Sequence, residues 1–490
     1  MVSLKRKKTG RLSHQRRHKI DIIKTLGRAI VETFYDYTEA TEVNGLWMLR
    51  RNKMDGVFRW IWISILFSLF ILGVYLTAKL WLKFYSVPTL TTIATNIPIT
   101  DIAFPGITLC NPQTIIDRKV SLTKFLIILL IAGLLYLDAF TTRQWQAPNL
   151  TLLQAVDETL ELNNITVTEA VMEVSAGCKD FLQHCFWGTT EFPCQQHHDY
   201  LSFSPSISQW GLCCSFNYNP NNQAYVPFSS NLFGVNGGLN IIGVEGSGSN
   251  IATGLLLLVH HPMDFASESA SSVTLKPNSE SFVEIYPTDQ SSSKDVLELK
   301  REKRNCLIPA DVDLVIYRQA ACQLACQTDA IYNTCDCHPY HLPVFNEDVK
   351  RRNCKLTDAV CYTDNYDYFK SVKCEHCLPN CYDITYTTTS FFTDLKQHDY
   401  SVSNIHTMHN FTTDNFILRV YLAKQVVPSS RKIIVMSWMS LLSDLGGVFS
   451  LCLGISIISL VEFFYFFTFR LYRHYLSQRA IIQISVTNKK

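Results

Sequence analysis

Asp444 and Glu462 are the only charges in an apolar tract of 37 residues that runs from Ile433 to Phe469. An ionised carboxylate is costly in such surroundings. It normally faces water, a counter-charge or an ion path. Asp444 stands ten residues before Gly454, about 15 Å along a helix. Gly454-Ile455-Ser456 lies between the two acids. Small residues let helices approach closely, and a break there would turn backbone carbonyls toward a cavity, where they can replace an ion's water shell. Gly-x-Ser alone is also common helix-packing glue, and a lone carboxylate can snorkel or pair instead. Glu462 reads either as a second acidic position on such a path or as half of an ion pair.

The second chemistry is that of thiols. Ten of the 17 cysteines fall between residues 306 and 381. Cys322 and Cys326 share one helical face. The Cys335-x-Cys337 and Cys374-x2-Cys377-x3-Cys381 spacings suit zinc as well as disulfides, and an oxidising compartment favours disulfides. No metal is assigned. The His pairs at 197/198 and 260/261 read as surface or strand residues. The Gly/Ser-rich stretch Gly234–Asn250 reads as loop, because it lacks the Lys-Ser/Thr ending of a phosphate cradle. Arg301-Glu-Lys-Arg304 reads as strand-edge charge in preference to a processing site.

Two apolar segments must position these groups. Trp60–Ala78 holds 19 residues without a charge, about 28 Å of helix and enough for a bilayer core. Trp60, Trp62 and Trp81 lie near its ends, where indoles prefer the interface. It begins too late for a cleaved signal peptide. The tract from Ile433 to Phe469 would make a helix of about 55 Å, too long for a core of roughly 30 Å. It must protrude or break, and Gly446, Gly447 and Gly454 offer places to break. A third apolar run, Phe125–Leu137, has 13 residues and reads as a core or amphipathic helix.

The flanks set the orientation. Residues 1–59 hold 14 Lys/Arg against 6 Asp/Glu, and residues 470–490 hold 5 against none. Both basic ends read as cytoplasmic. Lys5–Lys8 and Arg16-Arg17 fit that bias, with attraction to anionic membrane lipid or a nuclear signal as alternatives. Residues 79–432 hold 34 acidic against 25 basic residues, an acidic outer loop. It carries 16 of the 17 cysteines and the sequons at Asn149, Asn164 and Asn410, expected glycosylation sites. The expected organisation is residues 1–56 cytoplasmic, 57–82 a first span, 83–432 extracellular, 433–469 a second span and 470–490 a cytoplasmic tail. GLLLLVHHP (Gly254–Pro262), SVTLKP and SFVEIYP read as strands.

Composition narrows the classes. The chain is 47% hydrophobic and 18% charged with a net charge of +2, which excludes a disordered chain and gives no basis for a nucleic-acid partner. No nucleophile motif supports an enzyme.

Four motifs in order carry a resemblance. FPGITLCN (Phe104–Asn111) follows the first span, and GLCCSFN (Gly211–Asn217) comes in mid-loop. Cys335-Asp-Cys337-His-Pro precedes CEHCLPNC (Cys374–Cys381). LLSDLGGVFSLCLGISIISLVE (Leu441–Glu462) fills the second span. Together they resemble the degenerin / epithelial sodium channel / acid-sensing channel superfamily, with loop details closest to the insect pickpocket branch. The resemblance implies an α+β membrane protein with two transmembrane helices and a large disulfide-rich ectodomain of β-sheet and helix. It implies a homo- or hetero-trimer with related subunits at the plasma membrane, sodium-preferring and often blocked by amiloride. Sodium is the transported ion, and no cofactor is called for. Gating by force, by an extracellular ligand or by other cues, or constitutive activity, all stay open.

The resemblance also implies residue roles. Gly454, Ile455 and Ser456 match the selectivity element. Three copies of Asp444 would form an acidic ring that gathers cations. Ser443 matches the position where a small side chain lets the gate close, near Gly446 and Gly447. Asn44-Gly45 stands where the family has His-Gly; Asn does not titrate near neutrality, and Gly45 keeps its backbone freedom. The implied disulfides join Cys110 to Cys213, Cys178 to Cys185, Cys306 to Cys381, Cys322 to Cys377, Cys326 to Cys374, Cys335 to Cys361 and Cys337 to Cys354. Cys194 and Cys214 are left to pair with each other.

Two other classes share the topology. A non-conducting receptor or accessory subunit would need neither so long a second span nor Asp444 with Gly-x-Ser. A trimeric ATP-gated channel would need a basic cluster for phosphates, and the loop is acidic.

Overall fold

The computed structural model describes residues 26–41, 45, 56–86, 88–110, 150–174, 177–195, 201–208, 210–220, 225–244, 254–312, 314, 316–343, 351–396, 411–412 and 414–487. The run Phe125–Leu137, Asn44, Asn149, Asn410, His197, His198 and the basic residues Lys5–Lys8 lie outside them. The chain divides into two units, one of Met1–Leu90 with Ile434–Lys490 and one of Thr91–Ile433.

In the first unit, Gly56–Ser86 is one helix of 31 residues, longer at both ends than the expected span. Pro88 follows it and disfavours continuation. Its side chains are apolar on every face and mostly exposed, as expected of a helix that meets lipid. It is the only single helix among the described residues long and apolar enough to cross a membrane. Trp438–Leu453 and Ile457–Gln478 meet that test together, bent by 72° at the break between them. Gly73 is buried where the two apolar segments meet. A Cβ there would lie 3.6 Å from the Cβ of Cys452, the one unpaired cysteine. That is ordinary van der Waals contact, so the two helices pack closely at this point.

The second unit is built on an eight-stranded sheet. The 14-residue strand Ser279–Ser292 is its spine. Asp383–Asp394 pairs with it antiparallel along most of its length, while Asn415–Leu422 and Ser429–Ile434 pair with it in parallel. Leu239–Val244 lies against Asn415–Leu422, and the hairpin Leu182–Trp187/Thr190–Phe192 extends that edge. Every residue of NFILRVYL, Asn415–Leu422, is buried, which a strand covered on both faces requires. The second sheet runs Ser271–Leu275, Leu255–His260, Gly106–Cys110, Gly211–Phe216, Phe203–Ser208. One core joins the two sheets around Phe104, Phe181, Phe216, Ile241 and Leu418.

The helical part has its own core. Leu153, Val156 and Leu160 of the helix Leu150–Leu162 meet Ile331, Leu356, Tyr362 and Phe369. Asp157 is buried there and accepts hydrogen bonds from the Leu356 and Thr357 amides at 2.9 and 3.0 Å and from the Thr357 hydroxyl at 2.9 Å. It thereby caps a turn 199 residues away in sequence. Asn164 is exposed just past the Leu150–Leu162 helix, in the left-handed conformation at φ 52°.

Eight disulfides join all sixteen loop cysteines. Six of them link Cys110 to Cys213, Cys306 to Cys381, Cys322 to Cys377, Cys326 to Cys374, Cys335 to Cys361 and Cys337 to Cys354. The other two correct the expected pairing. Cys178 joins Cys214, and Cys185 joins Cys194. Cys213 and Cys214 are neighbours on one strand, so they point to opposite faces. Cys214 shares the main core with Cys178, Cys185 and Cys194. The hairpin sets Cys185 opposite Phe192, two residues before Cys194, which brings Cys194 back to it. The basic run Arg301–Arg304 is a turn of helix and not a strand edge. Arg304 is buried, donates to the Leu297 and Cys306 carbonyls and pairs with Asp311.

Candidate functional site

The site expected in the second apolar tract is a helix interrupted at Gly454-Ile455-Ser456. Ser437 starts the first half, its hydroxyl accepting from the Ser440 amide at 3.1 Å. Gly454 ends it in the left-handed region at φ 66° and donates its amide back to Ser450 at 2.9 Å. A Cβ is strained at that φ. Ser456 then caps the second half-helix. Its hydroxyl accepts from the Ser459 amide and the Ser459 hydroxyl accepts from the Ser456 amide, both at 3.2 Å. A reciprocal box of this kind satisfies donors that a helix start leaves open. Two of the three residues of the break therefore have a local reason: glycine for the turn and serine for the restart.

Ser443, Asp444, Gly446 and Gly447 lie exposed on the first half-helix. A Cβ at Gly446 or Gly447 would meet nothing within 4 Å. Glu462 lies on the second half-helix. Its Oε2 is buried and has no hydrogen-bond partner among the described residues.

Gly45 is held by a group that sequence reasoning missed. The Trp62 indole donates to the Gly45 carbonyl at 2.8 Å. Gly45 is left-handed at φ 89°, and a Cβ on it would come within 3.0 Å of the Trp62 ring. Trp62 was read only as an interface indole. No periodicity links positions 17 residues apart through a turn.

Other candidates resolve as structural. The ligand-type clusters Cys322/His376/Cys377 and Cys337/Cys354/Asp358 each contain a disulfide, so their sulfurs offer no thiolate. His260 and His261 end a strand beside a cavity of about 140 Å³ lined also by Asp264, Arg318, Asp383 and Tyr386. His260 Nε2 lies 2.8 Å from the Thr108 hydroxyl. Arg318 donates to both oxygens of Asp264, at 2.7 and 2.6 Å, and to Asp383 at 2.7 Å. Burial pushes the His261 imidazole down to about 3, helped by the Arg318 charge. Burial lowers His260 as well.

Residues 37–466 match the family model for the amiloride-sensitive sodium channel. "Sodium channel protein Nach" of Drosophila ananassae is 24% identical, with 91% of this chain and 89% of the relative covered. "Pickpocket protein 28" of Drosophila melanogaster is 23% identical, covering 82% and 72%. The "Bile acid-sensitive ion channel" of Mus musculus is 21% identical, covering 88% and 87%. These likenesses and the disulfide-rich ectodomain define a membrane ion channel and not an enzyme. The chain belongs to the amiloride-sensitive sodium channel family, and its relatives place it with the insect pickpocket branch.

Proposed function

We propose that the chain is one subunit of a trimeric, sodium-preferring cation channel of the plasma membrane, with both termini cytoplasmic. Its gate opens to an extracellular cue or is constitutively active, and related subunits can complete the trimer. The single observation that supports this most is the helix break at Gly454, set between Asp444 and Glu462. A membrane anchor has no use for a 72° interruption whose carbonyls are freed from the helical ladder.

In this reading the Asp444 side chains ring the outer mouth and concentrate cations. Gly454, Ile455 and Ser456 form the constriction. Glu462, with an oxygen left unpaired among the described residues, takes part in a lower ring. Ser443, Gly446 and Gly447 are the small positions where neighbouring copies of the first half-helix meet at the gate. Asn44-Gly45 belongs to the cytoplasmic entrance, and Asn149, Asn164 and Asn410 carry glycans.

The test is expression alone and with related subunits, followed by current recording. The reversal potential should follow the sodium gradient, amiloride should block, and Asp444→Asn should lower conductance. A surface-expressed trimer that passes no current in any combination would overturn the reading.

A further inference from the structure

Residues 26–40 form a helix against the end of the second apolar segment. Ala29, Thr33 and Tyr37, spaced a turn apart, make its buried face. The Tyr37 ring packs edge-on against Phe463, Phe466 and Phe467 with centroids 6.0, 5.7 and 5.6 Å away. Two acids flank that face. Asp36 accepts from two nitrogens of Arg470 at 3.1 and 3.0 Å, and Glu32 accepts from Gln478 at 2.8 Å.

Another side of the helix is apolar and open. Leu26, Ile30 and Phe34 recur at four-residue steps with Val31 and Tyr35 beside them, and all five are 41% to 53% exposed. A Cβ at Gly27, on the same side, would meet nothing within 4 Å. At about 100° per residue, the centre of this stripe falls opposite Glu32 and Asp36.

We propose that the stripe is a membrane-docking surface: the helix of residues 26–40 lies along the cytoplasmic leaflet with Leu26, Ile30 and Phe34 among the lipid chains, and the lipid it fits is anionic. The placement rests on the two-span reading above. Contact with Phe463–Phe467, where the apolar tract gives way to Arg470, sets the helix at the level where hydrocarbon meets headgroups. Phe464, Tyr465 and Phe469 are themselves exposed at that level. Tyr35 suits it as well, with an apolar ring and a polar tip. The charge of the partner follows from the sequence just ahead of the helix. Residues 1–25 hold 9 Lys/Arg against 1 Asp/Glu. One short apolar stripe binds a membrane weakly and reversibly, and a polybasic neighbour adds attraction to anionic headgroups. Pairing with the same stripe of another copy would instead set two basic runs side by side.

The test uses the purified full chain, with Cys452→Ala, in nanodiscs of phosphatidylcholine with added phosphatidylserine. Single spin labels at Ile30→Cys, Phe34→Cys, Glu39→Cys and Phe67→Cys report collisions with dissolved oxygen, which concentrates in lipid, and with a water-soluble nickel chelate. The labels at 30 and 34 should favour oxygen several-fold, and the label at the exposed Glu39 position should favour nickel. In phosphatidylcholine alone, nickel access at 30 and 34 should rise several-fold. Labels there that favour nickel in both lipids overturn the docking. Labels shielded from both reagents assign the stripe to another copy and overturn it too. Equal access in the two lipids overturns the preference for anionic lipid. Phe67, exposed on the first apolar helix, separates this proposal from the reading beneath it. An oxygen-rich label at 67 with nickel-rich labels at 30 and 34 sinks the docking alone, whereas a nickel-rich label at 67 sinks the span and the docking with it.

Discussion

Trp62 shows how much one hydrogen bond can settle. Trp62→Phe keeps a ring against Gly45 and loses the donor to its carbonyl. A lost bond of this kind is worth about 1 kcal/mol, roughly fivefold in an equilibrium. The expected outcome is normal surface abundance with a several-fold change in current per surface channel, read by biotinylation and recording on the same cells. Unchanged current per channel would show that the indole bond is incidental. Gly45→Ala should do more damage, since its φ and the nearby ring both exclude a side chain. Ser443→Phe tests the gate: a bulky ring should wedge it and raise resting current, and an unaltered closed state would speak against placing the gate there. Glycine at 45 was legible because its chemistry is local, whereas Ser443 stands out only by its match to a family motif. The partner of Gly45 was not, because the path of a turn is invisible to hydrophobic periodicity.

At the scale of elements, the second apolar tract was the most readable part of the chain. Its length exceeds a bilayer, and its glycines mark where it can bend. Which glycine breaks it follows from the neighbours: Gly454 has Ser456 two residues on to cap a restart, whereas Gly446 and Gly447 have no such cap. In the cysteine framework, helix spacing made legible only that Cys322 and Cys326 share a face; their partners came from the family resemblance. Cys377 and Cys374 meet that face in antiparallel order. The expected pairing failed around the hairpin, where the fold of Leu182–Trp187 back on Thr190–Phe192, unseen in cysteine spacing, brings Cys194 to Cys185. Mass spectrometry of non-reduced peptides should recover Cys178 with Cys214 and Cys185 with Cys194. A peptide joining Cys178 to Cys185 would reverse the correction.

At the scale of the molecule, acid should weaken the ectodomain through the buried histidines. His261 has a folded-state value near 3 against about 6.5 when unfolded. The unfolded chain therefore binds more protons in that window. Stability is complete above about pH 6.5 and falls as pH drops toward 3, by at most about 1.4 kcal/mol per unit for one such group. Thermal melts of the full chain at decreasing pH should show this slope, and His261→Asn should flatten it; an equal slope in the variant would assign the acid sensitivity elsewhere. Asp264 adds in the same direction only at lower pH, since Arg318 holds its carboxyl below the ordinary range. The spine strand Ser279–Ser292 carries one more consequence. All its partners, Asp383–Asp394, Asn415–Leu422 and Ser429–Ile434, come later in the chain. During synthesis the spine must wait unpaired while the 90 residues between Ser292 and Asp383, including the ten-cysteine segment, are made. The sheet closes only when the chain reaches Ile434, at the threshold of the second apolar segment. The sheet is therefore completed last at its C-terminal strand, and until then the waiting spine is the stretch most open to mispairing.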